Sequence, residues 1–398
     1  MKNRYFFITL LAIVLCGCHH QGNLTSTIKV DYTTVVVENL RLGQDKEIAL
    51  SEFVDHIDII PLEFKDSCIL KGIRKVVALD SNLFIIEDNR PERVYRFDTQ
   101  GNFLNSIGEK GQGPDEIIEL SDFSLNEKEQ LIYLLDNGRK TVLAYNFEGQ
   151  LVEKIKVNHA DRLEYKDGFF YLFRDEPTID DLCCLNIRNT KGEFKNAFLP
   201  SHQYPISKSS QVFTKTKDNL FLIKPMNDTI YSLDEVELKY AYYFDFGSLR
   251  LTPKEIEDSY SNEIPTFKKI LIDKERVSSM DHLYQTRHWI GFNKGYKLLQ
   301  YLFLYNKDTK ELKAGQVWDD LEYMFYGTSF YGQTENAWIG VYAIERIHSN
   351  IERYKRYADS GYITEEQKVK YTQKMKNLMR GENPEEMNPW ILFYHLKE

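Results

Sequence analysis

Six polar residues are the ones this sequence offers for chemistry: Arg74, Asp122, Arg162, Gln211, His282 and Tyr326. They fall at comparable points of a repeating pattern, near the start of successive β-rich runs. Two guanidiniums, a carboxylate, an amide, an imidazole and a phenol gathered at one opening would hydrogen-bond a sugar, a peptide or a carboxylate. The plainer reading is of solvated residues lining a wet channel. Arg287, His288 and Trp289 form a secondary cluster, although a Trp in such a place is more often a packing residue.

Motifs with chemistry of their own are missing. The loop Gly108-Glu-Lys-Gly-Gln-Gly-Pro114 invites a phosphate reading. Gly111-Gln-Gly113 lacks the third glycine of a dinucleotide fingerprint and the Gly-Lys-Ser/Thr of a P-loop, and Pro114 removes a donor. A tight turn between repeats explains the loop better. No Gly-x-Ser-x-Gly elbow, His-Glu-x-x-His pair or Asp-x-Asp-x-Asp-Gly calcium loop occurs. His282 and His288 flank an expected strand crossing, so no shared metal is expected, and no cofactor either. No carboxylates form a recognisable catalytic pair, although propeller hydrolases and lyases use scattered carboxylates and histidines.

The elements that position these residues are legible between Asn82 and Val157, where the chain says nearly the same thing twice. Leu83-Phe-Ile-Ile-Glu-Asp88 and Val94-Tyr-Arg-Phe-Asp-Thr-Gln-Gly101 return as Leu131-Ile-Tyr-Leu-Leu-Asp136 and Val142-Leu-Ala-Tyr-Asn-Phe-Glu-Gly149, 48 positions on. A period of that size built from short strands marks a propeller blade. Six such units can be read. The first runs from Gly72 to Gly108 and the second from Ile118 to Val157. The third is Arg162 to Gly192, the fourth Gln211 to Phe246, and the fifth His282 to Trp318. The sixth begins with inner strands at 323–331 and 338–344 and ends with Trp390 to His395. The segment His56-Ile-Asp-Ile-Ile-Pro-Leu62 has no local partner and is expected to close the last blade, removing two open edges.

Two stretches break the pattern. One, at about 252–276, opens with Pro253 at a first helical position. The other, at about 349–386, carries a capping box at Thr364-Glu-Glu-Gln367 and a plausible C′ residue in Gly381. Its apolar residues, Tyr371, Met375 and Leu378 among them, form one sticky face that would either dock a partner or pack over blade six.

The N-terminus has the pattern of a secretory signal over 1–17: basic Lys2 and Arg4, an apolar run from Phe6 to Leu15, then Leu15-Cys16-Gly17-Cys18. Ten apolar residues are too few for a spanning helix, which needs about 20. The last four resemble a lipobox, with Cys18 the lipidated residue, 18–45 a tether that includes an extended segment at Thr33 to Val37, and 46–398 the folded domain. Of the five cysteines, Cys68, Cys183 and Cys184 are an odd, sparse set and no disulfide framework. With a formal charge of -9, a nucleic-acid partner has no electrostatic footprint. Apolar content of 42% and 14% aromatic residues suit packed sheets.

These tandem strand–Asp–strand–turn–Gly units resemble the six-bladed β-propeller lipoproteins of the bacterial envelope, relatives of the NHL-like propellers. The resemblance spans about 45 to 398 and is strongest over 82–157. It implies an all-β fold in the cell envelope, anchored to a membrane by its N-terminal lipid, and leaves function open. The first expectation is a binding module for a carbohydrate, peptide or protein partner, without catalysis. The rival is a propeller glycoside hydrolase or lyase, and a third reading is a scaffold with an occluded channel.

Overall fold

In a computed structural model of the chain, residues 32–37, 42, 47–88, 90–175, 183–200, 211–260, 264–297, 299–322, 329–344, 364–379 and 386–398 are described, with single positions at 352, 356, 359 and 361. Cys18 and Tyr326 lie outside the described residues.

Six sheets form the blades of a propeller, each with its first strand innermost. Blade one is β4 (Ile73–Leu79), β5 (Asn82–Glu87), β6 (Val94–Asp98) and β7 (Phe103–Ile107). Blade two is β8 (Leu120–Asn126), β9 (Leu131–Asp136), β10 (Thr141–Asn146) and β11 (Leu151–Lys156). Blade three is β12 (Arg162–Lys166), β13 (Phe169–Phe173), β14 (Cys183–Asn189) and β15 (Phe194–Pro200). Blade four is β16 (Phe213–Lys215), β17 (Leu220–Ile223), β18 (Thr229–Asp234) and β19 (Glu237–Asp245). Blade five is β20 (Asp281–Gln285), β21 (Trp289–Tyr296), β22 (Leu299–Asn306) and β23 (Leu312–Trp318). Middle strands such as β5 and β9 are buried on both faces, which is why they read as continuous apolar runs.

Blade six completes the ring as expected. Its own strands are β24 (Gly332–Gln333), β25 (Ala337–Tyr342) and β26 (Trp390–Leu396), and β3 (Val54–Pro61) pairs antiparallel with β26 as the fourth. The inner strand expected at 323–331 falls largely outside the described residues; the innermost strand described is β24. On the inner side the amide of Val76 donates to the Tyr331 carbonyl at 2.7 Å, and on the outer side that of Glu63 donates to Gly101 at 2.8 Å.

The extended segment expected at Thr33 to Val37 is β1 (Thr33–Val36), which runs parallel to β19; β2 (Glu47–Ala49), not foreseen, runs parallel to β23. The N-terminal segment therefore passes along the outer edges of blades four, five and six in turn. Val35 and Val37 are buried against blades four and five, and Leu50 and Phe53 against blades five and six. Covering open edges removes templates for unwanted pairing, and each buried Phe or Leu adds about 1.5–3 kcal/mol.

The blades also interlock through their outer turns. Gly101, Gly149 and Gly192 all have positive φ, at +85°, +86° and +78°. Each closes a turn whose first residue (Asp98, Asn146 or Asn189) receives backbone N–H groups on its side chain. A Cβ on Gly101 would sit 2.0 Å from the carbonyl oxygen of Pro61, and one on Gly192 would sit 2.3 Å from that of Lys156. The backbone of each turn thus lies directly against the outermost strand of the preceding blade. That contact is the physical content of the 48-residue repeat.

Three helices are described in the two inserts. α1 (Pro253–Tyr260) and α2 (Ile264–Asp273) lie between blades four and five, and α3 (Glu365–Met379) interrupts blade six. At the start of α3 the Gln367 amide donates to Thr364 Oγ1 and the Thr364 amide to Gln367 Oε1, closing the capping box. Tyr371 and Met375 are buried against Tyr342 and Trp390 of blade six. The sticky face of α3 is therefore turned to its own ring.

Candidate functional site

Arg74, Asp122, Arg162 and Gln211 line one cleft at the start of the innermost strands of blades one to four. Lys75, Val212 and Phe213 complete its wall, and the space enclosed, open solvent included, is about 320 Å³. Four of the six residues singled out from the sequence are thus together. His282 begins the innermost strand of blade five but is not part of this cleft wall. It sits in a β-bulge with φ +51°, and its Nδ1 lies 2.9 Å from Asp281 Oδ2.

The local backbone explains how the cleft is furnished. In β4 the pairing steps from Ile73 to Lys75 while β5 advances one residue, so Arg74 is an extra, bulged residue. The same happens in β8 between Leu120 and Asp122, which makes Ser121 the extra residue. Arg74 is therefore the equivalent of Ser121, to whose carbonyl its guanidinium donates. Asp122 is the equivalent of Lys75. Aligning the blades by their second strands placed Arg74 and Asp122 in register and is one residue out at this end of the blade.

Lys75 is the residue the sequence reading missed. Its Nζ lies 3.4 Å from Asp122 Oδ1 and 3.6 Å from Glu164 Oε2, and it donates to the Phe123 carbonyl at 2.7 Å. Asp122 Oδ2 also accepts the Leu163 amide at 3.0 Å, and Glu164 Oε1 accepts the Ser124 hydroxyl at 2.5 Å. Asp122, Glu164 and Ser124 are all buried. This network joins three consecutive blades beneath the opening, and its carboxylates are already engaged by protein donors. Its sequence signal was slight: a lysine inside an otherwise apolar strand.

Above the network stand Arg74 and Arg162. Burial presses the Arg74 guanidinium below its ordinary proton affinity; Asp122 opposes that and the nearby Arg162 reinforces it. Arg162 donates to the Asp161 carbonyl at 2.8 Å. One amide joins three blades at the other end of the innermost strands. There Gln333 donates to the carbonyls of Gln285 and Lys215, at 2.9 and 3.1 Å, bridging blades four to six.

The other sequence candidates separate from the mouth. His288 pairs with Asp308, and Trp289 Nε1 donates to the Lys397 carbonyl at 3.1 Å while its ring packs near Phe53. That cluster lies at the opposite end of β20 from His282. The glycine loop holds a carboxylate of its own: the Gly113 amide donates to Glu116 Oε2 at 2.6 Å, and Arg139 donates to the carbonyls of Gly113 and Glu116. A Cβ on Gly111 would fall 1.9 Å from Glu116 Oε2. The loop is a filled turn between blades.

The fold and this opening define a six-bladed β-propeller with a polar, cation-bearing channel mouth. Within that class the chain belongs to the family described as "Domain of unknown function (DUF4934)", whose model matches residues 32–395. No curated protein matches the sequence. Among solved structures, a Bacteroides fragilis NCTC 9343 protein provisionally described as exported is 19% identical, with a TM-score of 0.69 over 92% of this chain and all of that one. A duf4221-family member from Bacteroides vulgatus ATCC 8482 is 11% identical, with a TM-score of 0.47 over 86% of this chain and 98% of its own. At these identities the likeness establishes the fold alone.

Proposed function

We propose that this propeller is a binding module of the bacterial envelope, tethered by lipid on Cys18, that takes a carboxylate-bearing ligand at the mouth of its channel. An acidic glycan is the first such ligand to try, and a peptide C-terminus presents the same group. The proposal rests on one observation: Arg74, Lys75 and Arg162 all line this opening, which gathers three cations in one cleft of a chain whose net charge is -9. Guanidinium groups match the planar geometry of a carboxylate. Engagement of both buried carboxylates by Lys75, Ser124 and Leu163 favours binding over the hydrolase or lyase alternative, which needs a carboxylate free to exchange a proton. The lipobox, the NHL-like repeat and the exported description of the B. fragilis structure are consistent with an envelope setting.

The test is a calorimetric and array screen of acidic and neutral glycans and of peptides, using protein lacking residues 1–18. Saturable binding of acidic ligands should weaken at least about tenfold in Arg162→Gln. It should also fall as salt is raised, because the charges are near the surface. Equal binding of neutral and acidic ligands, or an unaffected Arg162→Gln protein, would overturn the reading.

A further inference from the structure

Outside the channel, a second group of chemically competent side chains lies on the seam that closes the ring. His56 on β3 and His395 on β26 are direct register partners. Their imidazoles stack with centroids 4.2 Å apart and planes 9° from parallel. Asp58, two residues further along β3, projects from the same face as His56, and its Oδ2 lies 2.9 Å from His395 Nε2. One ligand atom from each of the three residues falls within 4.8 Å of the other two. Asp55 Oδ2 lies 2.8 Å from His56 Nδ1. A carboxylate at one ring nitrogen fixes the tautomer that leaves the other nitrogen's lone pair for ligation.

We propose that His56, Asp58 and His395 form a site for a divalent transition metal, zinc by the chemistry of its donors, across the two ends of the chain. Two imidazoles and a carboxylate are a donor set zinc accepts in four-coordinate geometry, with the remaining position open to water. All three side chains reach solvent, so an ion needs no entry path, and modest side-chain rotation brings the donors together. Asp58 and His395 are 337 residues apart in sequence. The complete site therefore exists only when β3 is seated on β26. Metal bound there favours the closed ring over any state in which the N-terminal strand has peeled away, and by mass action stabilises the fold as its concentration rises.

The probe is Zn²⁺ alone, added at neutral pH to the full chain after chelation and dialysis. One ion per chain should bind, with a melting temperature that rises with Zn²⁺ concentration. His56→Gln and His395→Gln should each weaken binding at least about tenfold, and Asp55→Asn by roughly tenfold because its carboxylate no longer orients the His56 ring from Nδ1. These side chains are at the surface, so the metal-free melting temperatures of the variants should match that of the parent. Co²⁺ in place of Zn²⁺ gives an independent readout, through the intense visible bands of a four-coordinate ion that His395→Gln should abolish. Absence of binding in excess Zn²⁺ would overturn the proposal. So would binding that survives both histidine changes, since the ion would then sit elsewhere, for instance on His19 and His20.

Discussion

Replacing Gly101 by Ala tests whether the outer turns lock one blade onto the next, and Gly168→Ala supplies its control. Both glycines hold a left-handed backbone, at φ +85° and +87°. An alanine in that region costs about 1–2 kcal/mol at either position. At Gly168 nothing lies within 4 Å of the new methyl, so that cost is the whole effect. At Gly101 the methyl meets the Pro61 carbonyl oxygen at 2.0 Å and its carbon at 3.0 Å, both of them backbone. The turn and β3 must separate by more than an ångström, an overpacking penalty of about 1–3 kcal/mol. The hydrogen bond from the Glu63 amide to Gly101, 2.8 Å long, is then stretched or lost, which adds about 1 kcal/mol. Gly101→Ala should therefore lose about 3–6 kcal/mol where Gly168→Ala loses about 1–2. Urea unfolding followed by fluorescence of the buried Trp338 and Trp390 measures both. Equal losses would refute the interlock and leave the turn glycines with a conformational role only.

Two further outcomes are expected. Asn388, buried, accepts the Leu70 amide at 2.8 Å and donates to the carbonyls of Glu63 and Cys68 at 2.7 and 2.6 Å. Asn388→Ala should cost about 2–4 kcal/mol, and Asn388→Asp at least as much because a carboxylate cannot donate to either carbonyl; a loss under about 1 kcal/mol in urea unfolding would contradict this. At Glu255, burial pushes the carboxyl up, but hydrogen bonds from Arg276, Thr252 and Lys274 outweigh it and hold it at about 2, below the ordinary 4.5. A depressed carboxyl stabilises the fold above its unfolded value and loses that contribution as pH falls from 4.5 toward 2. Glu255→Gln should be less stable than the parent by about 1–2 kcal/mol at pH 7, after allowing for solvent screening. In thermal melts the two proteins should converge over that acid window, and a constant gap would sink the assignment.

How much of the ring could be read depends on what each contact asks of a side chain. Gly101, Gly149 and Gly192 are visible because a backbone approach or a positive φ admits little else. In blades four and five the left-handed positions fall to Glu235 and Lys310, at φ 49° and 62°, so the period fades although the fold continues. The closing strand was legible because His56–Leu62 is β-rich and has no neighbour to pair with. The partners of β1 and β2 were not. These two strands attach by backbone hydrogen bonds to residues far along the chain, Thr33 opposite Tyr242 and Glu47 opposite Gln316. Backbone pairing leaves no mark of its partner in the side chains.

The channel mouth shows the same division at finer scale. Repeat spacing brought Arg74, Asp122, Arg162 and Gln211 to one end of the ring, because all innermost strands begin there. It could not show which way each side chain is turned, because one inserted residue reverses the alternation of a strand. The bulge at Arg74 gives the guanidinium to the opening and sends Lys75 against Asp122 and Glu164. The bulge at Ser121 buries Asp122 where Lys75 can reach it. The selectivity proposed for this opening is therefore set by backbone register: removing Arg74, the extra residue of β4, takes a guanidinium from the mouth while Lys75 keeps its ladder partner Ile86, and an acidic ligand should then bind more weakly.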